Sequence, residues 1–173
     1  MKHLLLLSVM LCFSFKFNET QNLQKNTHLE SVSKKANETT QVLKTVLYQG
    51  TLNGTTNISL YIHEQEHPCG GNLTMINAMY KYDNQDRWIL LEVTTDKEKK
   101  NYCMVEDNFT GVLFLEEKDH FLNGNWISPN TQKQFKVTLK NQLLDTKYAD
   151  DHTKVEKLDE ILFDELIYGK NDC

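Results

Sequence analysis

The chain has 173 residues, 25% of them charged, with 24 acidic against 19 basic side chains and a formal net charge of −5. Arg87 is the only arginine and the lysines are scattered, so the clustered basic surface that nucleic acid requires is excluded.

Met1-Lys2-His3 is followed by an apolar run from Leu4 to Phe15, broken only by Ser8 and Ser14. A charged start and about a dozen apolar residues predict a secretory signal peptide over residues 1–17, cleaved between about Ser14 and Asn18. The protein is therefore expected in a periplasm or outside the cell. Cys12 is not read as a lipidation site, because Val9-Met10-Leu11 lacks the small residue that precedes such a cysteine. No other stretch approaches the roughly 20 apolar residues of a membrane span.

Residues 18–44 are rich in Asn, Thr, Gln, Ser and Lys and read as a flexible polar leader. Six positions fit Asn-x-Ser/Thr: Asn18, Asn37, Asn53, Asn57, Asn72 and Asn108. They would carry glycans in a eukaryotic secretory pathway. Abundant asparagine and lysine over arginine point instead to a bacterium, where most would be inert.

From residue 45 to 140 short apolar runs of period two are separated by turn residues, which predicts an antiparallel sheet closed or stacked on itself. The expected strands are 45–52, 57–63, 74–82, 87–94, 101–106, 110–116, 121–127 and 134–139. Ile58, Leu60 and Ile62 share one face, as do Ile89, Leu91 and Val93, or Phe135, Val137 and Leu139. The links are short, so an up-and-down barrel of about eight strands is the economical topology. A faint repeat, Tyr48-x-Gly50-x-Leu52, Phe109-x-Gly111-x-Leu113 and Leu122-x-Gly124-x-Trp126, puts glycine where a sheet coils sharply. Eight strands enclose a space that side chains either just fill or leave open for one small ligand. The Leu, Ile, Phe, Tyr and Trp of the inward faces favour filling.

Residues 141–173 form an acidic tail with an amphipathic helix at about 152–168, Thr153 and Glu156 being a possible capping box and Gly169 its stop. Its stripe of Val155, Leu158, Leu162 and Leu166 is expected to pack on the barrel end. The sharper alternative is an acidic helix offered to a partner.

Cys69, Cys103 and Cys173 follow the signal peptide. In an oxidising compartment a Cys69–Cys103 disulfide is expected, with Cys173 left over.

His63-Glu64-Gln65-Glu66-His67 satisfies H-E-x-x-H, the spacing at which two histidines one helical turn apart hold zinc while the glutamate activates water. The context opposes it. His63 ends an alternating strand, Pro68 and Gly70-Gly71 follow at once, and Leu73 stands where the longer signature wants a third ligand. At strand spacing the two histidines would be about 13 Å apart. His63 and His67 thus remain weak metal candidates, with no catalytic residue and no cofactor expected.

"YQGTLNG", "ISLYI", "FTGVLF" and "LNGNWISP" resemble the small exported β-barrel proteins of Gram-negative bacteria that have no assigned function, and Gly124-Asn125-Trp126 is similar to the Gly-x-Trp of the calycin group. The resemblance implies a calycin-like barrel and transfers no ligand residues. The expected function is non-enzymatic binding of a protein or envelope component through the barrel exterior. The alternatives are a calycin-like carrier of a small apolar ligand and an inhibitor of a foreign hydrolase such as lysozyme, whose basic surface an acidic protein would attract.

Overall fold

The computed structural model describes residues 40–169. The expected signal peptide, most of the leader, Asn18, Asn37 and Cys173 lie outside that range.

Eight strands close into an antiparallel barrel in chain order: β1 (Val42–Leu52), β2 (Thr56–Glu66), β3 (Thr74–Tyr82), β4 (Ile89–Thr95), β5 (Asn101–Glu106), β6 (Val112–Lys118), β7 (Phe121–Ile127) and β8 (Gln134–Asn141). Closure is made by β1 and β8, with Tyr48 opposite Asn141 and Leu52 opposite Val137. β1 begins three residues inside the stretch expected as leader, because the Lys44 ammonium reaches Glu117 at 3.1 Å.

The period-two pattern sends one set of side chains inward. Tyr48, Ile58, Leu60, Tyr80, Met104, Leu113, Leu122, Val137 and Leu139 are almost wholly excluded from solvent and form one continuous core. The repeat glycines have distinct jobs. A Cβ on Gly50 would overlap the Thr138 carbonyl, and one on Gly124 the Phe114 carbonyl, so both admit a neighbouring strand's backbone. Gly111 precedes β6, and a Cβ there would strike the Trp126 indole.

Each end of the core holds an inward carboxylate that gathers several donors. Glu117 accepts hydrogen bonds from Tyr48 Oη (2.9 Å) and Tyr102 Oη (3.1 Å) as well as from Lys44. Burial pushes its carboxyl up, but the Lys44 charge and these hydrogen bonds outweigh that and hold it below its usual value. At the opposite end Glu106, 5% exposed, accepts from Tyr80 Oη, Trp126 Nε1 (2.5 Å) and Thr110 Oγ1 (2.6 Å).

The tail departs from expectation in three ways. Its helix α1 (Ala149–Glu160) starts earlier than predicted and lacks a side-chain cap. Instead, Asp150 and Asp151 in the first turn complement the helix dipole, and Asp151 also accepts from the Asp145 amide at 3.0 Å. From Ile161 to Tyr168 the helix widens to π geometry, closed by the Gly169 amide donating to the Asp164 carbonyl. Finally, it lies against the side wall and not the barrel end. Leu158 and Leu162 pack on Leu47, Tyr61 and Met79, which alternate with the core residues Tyr48, Leu60 and Tyr80 and so face outward.

Candidate functional site

His63 does not face a metal. β2 continues straight through the H-E-x-x-H stretch to Glu66, so neighbouring side chains go to opposite faces. His63 points outward beneath the tail helix, whereas Glu64 is buried and pairs with Lys99. His67 lies past the strand, where its Nδ1 accepts from the Cys69 amide at 3.1 Å. Among the described residues no group of three or more His, Cys, Asp or Glu side chains is placed to hold a metal ion.

Under the helix His63, 2% exposed, donates from Nδ1 to Asp159 at 2.8 Å, and the Tyr61 hydroxyl donates to the same carboxylate oxygen at 2.8 Å. A carboxylate that orients an imidazole is the arrangement of a general base. Here, however, Nε2 is buried without a partner, the Phe163 ring stands edge-on at 4.9 Å, and the cross-strand neighbour Asn77 also keeps a buried, unpaired Nδ2. The cluster ties the helix to the wall. Asp159 was not legible as a partner. β2 did carry a signal: it is buried without interruption from Ile58 to Glu64, and Leu60-Tyr61-Ile62 puts bulky groups on both faces, as a strand covered on both sides must.

The expected disulfide is not formed; Cys69 and Cys103 are both free thiols. Cys69 sits exposed in the β2–β3 loop, while Cys103 is on the outer face of β5 opposite Thr94 and Phe114.

Four of the seven tyrosines carry phenols held well above their usual value. Burial is the main cause in each. Glu117 adds to it at Tyr48 and Tyr102, Asp159 at Tyr61, and Glu106 at Tyr80. Because the folded value exceeds the unfolded one near 10, their stabilising contribution is complete below about pH 10 and is lost as pH rises further. A spectrophotometric titration is expected to leave these four protonated at about pH 11, then ionise them together as the barrel unfolds. Smooth ionisation of all seven near pH 10 would contradict this.

Known protein families, characterised proteins and solved structures offer no match to this chain.

The grooves lie on the outside. One, of about 470 Å³, runs between β1 and α1 beside Val42, Thr45, His152 and Val155. Another, of about 550 Å³, lies where three pieces meet: the β3–β4 connection (Gln85–Trp88), the turn before β6 (Asp107, Asn108, Thr110) and the π-helical stretch (Ile161, Glu165, Leu166). Two backbone features open it. β3 and β4 share only three register pairs, Ala78–Leu91 to Tyr80–Ile89, which frees the connection to stand away from the wall. The i→i+5 pattern also stacks Ile161 and Leu166 on one side, although an α-helix would set them about 140° apart. Phe163 and Tyr168 share this spacing, with ring centroids 6.3 Å apart.

Proposed function

We propose that this protein is an exported, non-enzymatic β-barrel that binds another macromolecule or an envelope component through its outer surface. The filled interior carries this reading. Tyr48, Leu60, Tyr80, Met104, Leu113, Leu122 and Leu139 occupy the barrel axis at no more than 1% exposure, and the carboxylates near its two ends are engaged by interior phenols. A carrier needs an apolar cavity that its own side chains leave vacant; here the space is used. The apolar start of the chain supports export. The separate settings of His63 and His67, with His63 Nε2 buried, support a non-enzymatic reading of the H-E-x-x-H stretch.

Native mass spectrometry of the protein purified without a tag tests the reading. The expected result is the bare polypeptide mass, unchanged by mild denaturation. An added mass that denaturation releases, such as a lipid, would favour the carrier and overturn surface binding as the main function.

A further inference from the structure

We infer that the groove between the β3–β4 connection and the π-helical stretch binds a cationic, apolar-flanked segment of a partner protein. The inference rests on the surface-binding reading and gives it an address.

The floor is apolar, with Trp88 and Leu90 on one side and Ile161 and Leu166 on the other. The rim carries Asp86, Asp107 and Glu165 against Arg87, with the Lys81 ammonium beside Trp88, so three acids face two cations in a chain that is negative overall. A guest must therefore bring apolar surface for the floor and positive charge for the rim. Nucleic acid and acidic lipid headgroups fail the second requirement. The volume, about 550 Å³, suits a few side chains and is well below that of a whole folded domain. Tryptophan and arginine are the residue types in which binding energy concentrates at protein interfaces. The Trp88 face already attracts an ammonium, Lys81 Nζ lying 5.4 Å from its centroid.

The walls are also built irregularly. Regular strands would have paired β3 with β4 along their length, and a regular α-helix would have turned Leu166 away from Ile161. π-Helical turns are rare and concentrate at functional sites, and this one supplies three lining residues.

The test uses the full chain, labelled with nitrogen-15, and two probes, acetyl-Leu-Lys-Leu-amide and acetyl-Leu-Glu-Leu-amide. The indole N–H signals of Trp88 and Trp126 serve as reporters, because Trp88 lines the groove while Trp126 is inside the barrel, stacked on Phe135 and bonded to Glu106. The lysine peptide is expected to move the Trp88 signal saturably at about millimolar concentration, leaving Trp126 in place. The glutamate peptide should not. Exchanging the exposed rim acids together, Asp86→Lys with Glu165→Lys, should weaken the lysine peptide by about tenfold, and an unmoved Trp126 signal verifies the fold of that variant. Equal response to both peptides, or none at Trp88, overturns the groove assignment and leaves surface binding elsewhere standing. A saturable shift of Trp126 instead places the guest inside the barrel and overturns both readings.

Discussion

Replacing Gly124 by alanine is expected to cost about 3 kcal/mol of folding stability, the upper part of the usual range for forcing one extra carbon into a packed interior. The reason is backbone and not side chain. A Cβ at Gly124 would overlap the carbonyl oxygen of Phe114 on β6 and stand 2.8 Å from its carbon and 3.0 Å from Leu115 Cα. Atoms of a hydrogen-bonded strand cannot rotate away as a side-chain tip can, so β6 and β7 must separate locally. Gly54 provides the contrast. It sits in the β1–β2 turn at φ +74° with open space around it, and alanine there should cost only about 1 kcal/mol of backbone strain. Urea unfolding followed by tryptophan fluorescence measures both. If Gly124→Ala proved no more harmful than Gly54→Ala, the tight coiling of β6 on β7 would be refuted.

Glu106→Ala is expected to destabilise by about 3 kcal/mol, because it strands the buried Tyr80 hydroxyl and the part-buried Trp126 indole N–H at once. Tyr80 Oη and Trp126 Nε1 both end on Glu106 Oε1, and each unpaired buried donor costs roughly 1–3 kcal/mol. Thr110, exposed, can turn to water. Glu106→Gln keeps an acceptor oxygen and should lose less. Tyr80→Phe in the Glu106→Ala background should then recover part of the loss, since one stranded hydroxyl is gone; the double-mutant cycle reads that coupling directly. Additive losses would mean that Tyr80 and Glu106 do not stabilise one another, and the polar plug at that end of the barrel would have to be discarded.

Both predictions involve groups whose partners lie far along the chain, and this separates what could be read from the sequence from what could not. Strands β3, β5 and β7 have the bounds expected from alternation, because inward and outward positions differ in polarity residue by residue. Gly50 and Gly124 could be marked as sites of close approach, for glycine within a strand seldom has another use. The alternation likewise places Glu116 and Glu117 on opposite faces. It could not disclose that Glu117 would gather Lys44, Tyr48 and Tyr102, since that meeting exists only once β1 has closed on β8.

The helix was legible as amphipathic, but its seat was not. Val155, Leu158 and Leu162 called for an apolar surface without saying which one, and no residue pattern marked the π geometry of Ile161–Tyr168. Cysteine content suggested a Cys69–Cys103 bridge, whereas both residues stand as free thiols here. By itself the sequence determined the barrel, its eight strands, its inward face and the presence of a tail helix, because each depends on short-range period and turn chemistry. Only the tertiary structure decided the cover over Tyr61 and His63, the polar plugs and the outer groove, because these depend on which distant residues closure brings within a few ångströms.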